Sequence, residues 1–285
     1  MNDNEFKSFF KSVGGNEGSK CNYPTRMDSY GRGCSNNCSY CYAKSLLAFR
    51  NLWDPDNPAI ADIEKIKRKL RKVERGTILR LGGMTDCFQA CEEKYGVTYE
   101  AIKMMNELGI GYLIVTKCSL VAEDRYISIM DPGLAHIQIS VTTTDDHFNR
   151  TYENTDSFSQ RVQAIEKLQQ AGFDVTLRLS PFIPQFIDFE VLNAVRCDKI
   201  LIEFLRVNSW IKKWFDLDYK DYTLKQSGYC HLPLDKKLEY IKQINGFEQM
   251  SVCEDVTEHY DYWKKYFNSN PEDCCNLNKV TVSNV

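Results

Sequence analysis

The sequence predicts an α/β fold built on a parallel sheet, and three observations carry that expectation. Short apolar runs rich in Val, Ile and Leu alternate with amphipathic stretches of helical period between Arg26 and Leu205. The alternation yields six strand–helix units at a spacing that suits right-handed crossovers, which impose parallel pairing. The chain of 285 residues is long enough for one domain of barrel size. The expected organisation is an arm over residues 1–20, polar and rich in Gly and Ser, a core over 21–206, and a mixed C-terminal region over 207–285 that covers the site.

The first strand is expected near Arg26–Tyr30, leading into a cysteine-rich loop. Ala59–Arg75 reads as a charged helix with Ile63, Ile66 and Leu70 on one side, and Thr77–Leu81 as a strand ending in Gly82-Gly83. Tyr99–Leu108 is a helix with Ile102, Met105 and Leu108 in register and Gly109 placed for a left-handed cap. Gly111–Thr116 is the third strand. Val121–Met130 reads as a helix that stops before Asp131-Pro132-Gly133, and His136–Val141 as the fourth strand. Phe158–Ala171 carries Val162, Ile165 and Leu168 inward and ends at Gly172. Strand Phe173–Leu179, helix Phe189–Val195 and strand Ile200–Leu205 complete the series. Two helices are expected beyond it, near Leu234–Ile244 and Asp255–Phe267.

Hydrophobic content of 43% and charged content of 26% are ordinary for a soluble globular chain. The longest apolar runs are too short for a bilayer, and Met1–Lys11 lacks the apolar core of a signal peptide, so a cytoplasmic location is expected. Twelve cysteines in a reducing compartment argue for metal chemistry over a disulfide framework. A net charge of −3 argues against a large duplex footprint and leaves room for a local basic cleft.

The chemistry concentrates in Gly33-Cys34-Ser35-Asn36-Asn37-Cys38-Ser39-Tyr40-Cys41-Tyr42-Ala43. Three thiolates within eight residues are soft ligands that favour iron–sulfur clusters, zinc or copper(I). Structural zinc usually takes four protein ligands in two close pairs. A tight set of three instead leaves one corner of a 4Fe–4S cube open to a cofactor. The spacing C-x3-C-x2-C with an aromatic residue before the third cysteine resembles the signature of the radical S-adenosylmethionine (SAM) superfamily. That resemblance implies a partial (β/α)6 barrel and a 4Fe–4S cluster on Cys34, Cys38 and Cys41. It also implies SAM bound at the open iron, cleaved to a 5′-deoxyadenosyl radical with an electron from a reductant such as flavodoxin or ferredoxin.

In parallel barrels ligands sit at the C-terminal strand ends. The residues after each strand therefore form the candidate inventory. Gly82-Gly83 resembles the glycine pair that holds the SAM amino group, with Met84 where an acid is usual, so Thr85 or Asp86 would supply the polar contact. Thr85-Asp86-Cys87-Phe88-Gln89-Ala90-Cys91-Glu92 resembles an element of the spore photoproduct lyase-like group, with cysteine at both of its proline positions. Thr116-Lys117-Cys118 resembles that group's Thr-Lys-Ser and implies a SAM-carboxylate contact for Lys117, while Ser140 would offer its hydroxyl to the SAM carboxylate or ribose. Glu153-Asn154, Arg161 and Arg178-Leu179-Ser180-Pro181-Phe182-Ile183-Pro184 match the same group, with Asn154 in place of proline. Arg178 would meet a ribose or substrate anion, or serve a structural ion pair. Tyr40 would pack near the adenine. Glu203 and Arg206 read as an ion pair with each other.

Cys230, Cys253, Cys274 and Cys275 suffice in number for a second iron–sulfur cluster, with the adjacent pair counted as one ligand; buried structural thiols are the alternative. The group also implies a thiol that returns a hydrogen atom to a product radical, for which Cys87, Cys91, Cys118 and Cys253 are candidates. The function expected is radical chemistry on a pyrimidine nucleobase, free or in nucleic acid. One alternative is modification of a peptide by an enzyme with an auxiliary cluster. Another is a non-enzymatic iron–sulfur or zinc protein.

Overall fold

The computed structural model describes residues 10–12 and 18–277. Its strands are β1 (Phe10–Ser12), β2 (Thr25–Met27), β3 (Tyr30–Gly31), β4 (Ala59–Ile60), β5 (Ile78–Leu81) and β6 (Gly111–Thr116). They continue with β7 (Ala135–Val141), β8 (Asp174–Phe182), β9 (Lys199–Phe204), β10 (Leu224–Gln226), β11 (Tyr229–His231) and β12 (Gln249–Val252). The main sheet runs β1-β2-β5-β6-β7-β8-β9-β12. All neighbours are parallel except β1, which pairs antiparallel with β2. The six expected strands are present in sequential order. Among the described residues β1 and β12, the two ends of this order, do not pair with each other.

Period-two alternation sorts the side chains onto two faces. Leu79, Leu81, Ile114, Ile137, Ile139, Leu177, Leu179, Ile200 and Ile202 enter the main core under the helices. Their neighbours Ile78, Leu113, Val115 and Leu201 turn to the other face and form a separate apolar cluster with Cys253, Cys274 and Cys275. The second face is the concave one. Helix Phe158–Gln170 packs on β7 and β8, its start fixed by a capping box between Ser157 and Gln160. Helix Val97–Leu108 ends at Gly109, whose φ of +62° is the left-handed cap the sequence requires there.

Several expectations need correction. Ala59–Arg75 is not one helix: Ala59–Ile60 pairs with β3, and the helix spans Ile63–Leu70. The Asp62 carboxylate accepts the amides of Glu64 and Lys65, which makes it the cap and sets the start. Val121–Met130 is a 3₁₀ turn, Ser119–Ala122, followed by one α turn, Asp124–Ile127, with Glu123 extended between them. Strand β8 runs past Leu179 to Phe182 with a register shift at Ser180-Pro181, because proline has no N–H for the ladder. The C-terminal region supplies β12 in parallel to β9, a seventh parallel strand that the mixed pattern had concealed. Helices Cys91–Tyr95 and Ser209–Trp214 and the β10–β11 hairpin were also not anticipated. Most of the arm over residues 1–20 lies outside the described residues, which hold β1 and the stretch from residue 18.

Candidate active site

The cysteine loop leaves β3 through Arg32, at φ +62°, and Gly33. A Cβ on Gly33 would lie 2.3 Å from the Asp54 carbonyl oxygen, so the loop tolerates only glycine there. Two tight turns wind it: Asn37 N donates to Cys34 O at 2.9 Å, and Cys41 N to Cys38 O at 3.2 Å. Neighbouring segments clamp it from both sides. Ser39 N donates to Tyr152 O at 2.8 Å, Asn154 N to Asn36 O at 2.7 Å, and Ser35 N to Gln89 Oε1 at 2.9 Å. Asn154 stands where the resembling group has proline, and its N–H is the atom a proline could not offer.

Cys34, Cys38 and Cys41 line one cavity of about 250 Å³. Cys34 and Cys38 are buried and Cys41 half-buried. Burial pushes the Cys34 thiol up to about 12 and raises Cys38 and Cys41 as well. Thiols held this way are protonated until a metal displaces the proton. Behind Cys38, the buried Glu153 carboxylate accepts from Arg161 Nη2 at 3.0 Å, from the Tyr40 and Thr142 hydroxyls, and from Cys38 Sγ at 3.7 Å. Burial opposes ionisation of Glu153, but Arg161 and Lys117 outweigh it and hold the carboxyl below its ordinary range. Three soft donors lining one cavity, with their loop tied on both sides, fit a cluster that takes three protein ligands.

Both glycines after β5 are required by geometry. Gly82 has φ +82°, and a Cβ on Gly83 would lie 2.6 Å from Arg26 Cδ. Their turn is held by Asp28, which accepts Gly83 N at 2.6 Å and Met84 N at 3.0 Å. Sequence reasoning missed Asp28 because a lone acid after a strand carries no local signal. Thr85 donates its hydroxyl to Tyr30 O at 2.8 Å. Asp86 accepts Thr116 Oγ1 at 2.7 Å, Lys117 N at 2.8 Å, Phe88 N at 2.9 Å and Asn36 Nδ2 at 3.2 Å. With four donors on it, Asp86 ties the strand ends to the cysteine loop. Gly82, Gly83, Thr85, Asp86, Lys117, Ser140 and Arg178 all line the cavity with Tyr40. Lys117 Nζ lies 5.7 Å from the Tyr40 ring centre and donates to Ser180 O at 3.0 Å.

The concave face of β8 and β9 carries a second charged group. Arg178 donates to Gln138 Oε1 at 2.7 Å and pairs with Glu203, which also accepts from Ser180 Oγ at 2.9 Å. Arg206 instead pairs with Asp255 at 2.9 Å, so the expected Glu203–Arg206 pair does not form. The reason is parity: Glu203 shares the concave face with Arg178, while Arg206 lies past the strand end beside Tyr42 and Tyr229. Burial disfavours the Glu203 carboxylate, but Arg178, then Arg206 and Arg80, outweigh it and set its pKa at about 2. An unfolded glutamate titrates near ~4.3. Glu203 therefore contributes stability that is complete above about pH 4.3 and is lost as pH falls towards 2, and Glu153 contributes in the same direction. Circular dichroism between pH 5 and 2 should show unfolding, and Arg178→Met should flatten the Glu203 share of that dependence.

Of the four thiols considered as hydrogen donors, Cys253 alone lines the cavity. Cys87 is buried in the main core with Cys91 packed against it, and Cys118 lies 3.7 Å from both the Asn36 side chain and Asp86. Cys21, Cys274 and Cys275 line the cavity alongside Cys253, whereas Cys230 pairs with Val207 in the backbone of the β10–β11 hairpin. No described helix is long and apolar enough to cross a membrane.

Solved structures of spore photoproduct lyase share this fold. One, complexed with dinucleoside spore photoproduct, superposes with a TM-score of 0.63 at 18% identity, covering 88% of this chain and 80% of that one. A mutant of that lyase with bound AdoMet and the same dinucleoside gives a TM-score of 0.62 at the same identity and coverage. Among curated sequences, uncharacterized proteins of Mycobacterium tuberculosis and Mycobacterium bovis are 26% identical over 169 residues, 55% of this chain and 49% of theirs. The chain thus spans about half the length of the curated relatives it matches. The model of the radical SAM superfamily matches residues 29–196, more than half of the sequence. The chain belongs to the radical SAM superfamily of enzymes.

Proposed function

We propose that this enzyme applies radical SAM chemistry to a pyrimidine nucleobase, as a nucleotide or within nucleic acid. Cys34, Cys38 and Cys41 would hold a 4Fe–4S cluster. The carbonyls of the Gly82-Gly83 turn would receive the SAM amino group, and Lys117 and Ser140 its carboxylate. When bound, the cluster and SAM supply a 5′-deoxyadenosyl radical that takes hydrogen from substrate. The chain's own part is to position and to exclude water. Tyr40 is anchored through its hydroxyl to Glu153 and presents its ring to the cavity, while Lys117 is steadied by Ser180 O.

The observation that carries the substrate class is part of the cavity lining. Tyr42, Trp53 and Tyr260 line the cavity with Lys20, Arg206 and Lys264, of which Arg206 also pairs with Asp255 and Lys264 with Glu272. Lys20 Nζ lies 5.3 Å from the Tyr260 ring centre and Arg206 4.8 Å from that of Tyr42. Aromatic faces beside cations suit stacked bases with their phosphates. A paired base would first have to leave the stack, at a cost of a few kcal/mol. The dinucleoside bound by spore photoproduct lyase is of the same chemical class.

A peptide substrate is the second reading; the gathering of Cys21, Cys253, Cys274 and Cys275 in the cavity suits an auxiliary cluster, which either substrate class admits. Deuterium tracing separates the two. With nucleotides and oligonucleotides deuterated on sugar and base, the reconstituted enzyme should form 5′-deoxyadenosine carrying deuterium. Label arriving only from deuterated peptides would overturn the nucleobase reading.

A further inference from the structure

We propose that Cys21, Cys253, Cys274 and Cys275 bind a second iron–sulfur cluster in the cavity that Cys34, Cys38 and Cys41 also line. The sequence brings these four thiols from three distant segments, and the structure delivers all of them to one cavity wall. Cys253 follows β12 and donates its N–H to Ile202 O at 2.8 Å, which fixes it at the strand end. Cys253, Cys274 and Cys275 pack together in one apolar cluster with Leu113 and Leu201.

Hydrogen bonds hold the three segments together around the thiols. Tyr23 Oη donates to Asp273 Oδ2 at 2.6 Å, and Lys20 Nζ to Asp255 O at 2.7 Å, so both flanks of Cys21 are anchored. On the tail, Lys199 Nζ donates to Asn276 O and Asn276 Nδ2 to Ser251 Oγ, each at 2.8 Å. Cys275 N donates to Asp273 Oδ1 at 2.9 Å, and Asn276 after the cysteine pair is left-handed at φ +49°. Apolar Leu113, Val115 and Leu201 back the group.

The donor set selects the ligand. Four thiols suit a soft metal, which means zinc or an iron–sulfur cluster here. Among the described residues the one side-chain group close enough to hold a single ion is His231, Glu254 and Asp255, which contains no thiol. Arg80 also lines the bore, and its buried Nε has no hydrogen-bond partner, which leaves a donor for cluster sulfur. The assignment replaces Cys230 by Cys21 and removes Cys253 from the hydrogen-donor candidates.

The test is anaerobic reconstitution with iron and sulfide, followed by counting both per chain. The full chain should hold about eight irons, and the Cys34→Ala/Cys38→Ala/Cys41→Ala variant should keep about four with matching sulfide. Cys253→Ala/Cys275→Ala, checked for folding by circular dichroism, should lose the other four. A triple variant without iron, from a parent holding about four, would overturn the second cluster and leave the first reading intact. A parent holding about four irons that survive in the triple variant and vanish with Cys253 and Cys275 would sustain the second cluster and overturn the first. Uptake of zinc alone by the triple variant, without iron or sulfide, would also overturn the proposal.

Discussion

Replacing Cys34, Cys38 or Cys41 singly by alanine should reduce reductive cleavage of SAM to the uncatalysed background. All three thiols line the same cavity, and the loop that carries them is wound by turns of its own backbone. Removing one side chain leaves those backbone bonds in place, so the variants should fold while the cluster loses a ligand. The check is 5′-deoxyadenosine formation by chromatography after dithionite and SAM, with circular dichroism run beside it. A variant that still cleaves SAM at the parent rate would remove these cysteines from the mechanism.

The second large effect is expected behind the loop. Arg161→Met should lower stability by ~3–5 kcal/mol, because it leaves a buried carboxylate without its charge partner. The Arg161 and Glu153 side chains are only 2% and 0% exposed, and the guanidinium also donates to Ser140 O and Asp156 O at 2.9 Å. Glu153 in turn bonds the Tyr40 hydroxyl and contacts Cys38, so the loss should spread to the cluster loop as weaker iron retention. Pairing Arg161→Met with Glu153→Gln should recover part of the stability, since the second change removes the stranded charge. Urea denaturation of the three proteins measures both effects. A single variant within ~0.5 kcal/mol of the parent would show that the pair is not structural.

What could be read from the sequence was what is local. Six strands were recognisable because parallel strands buried on both faces are nearly continuous apolar runs, as in Gly111–Thr116 and Ile200–Leu205. The cysteine loop was recognisable because its three thiols fall within eight residues. The supports of that loop were harder to see. Glu153 and Arg161 stood out only as matches to a known group, and nothing in their spacing tells that Glu153 reaches Cys38. Asp28 acts on a turn 55 residues away. Cys21 joins Cys253 and Cys275 only through the fold, so counting C-terminal cysteines selected Cys230 instead. The missed boundaries have equally specific causes. Asp62 looked like one more charge on a helix face, whereas its carboxylate caps the helix.

The central claim is that the three motif thiols assemble a cluster that turns SAM into a radical source. Its most direct measurement is anaerobic reconstitution of the full chain with iron and sulfide, then addition of dithionite and SAM. The account predicts a cluster that depends on Cys34, Cys38 and Cys41, and 5′-deoxyadenosine and methionine as products. A protein that takes up no iron–sulfur cluster on those residues, or carries one and leaves SAM intact, would contradict it.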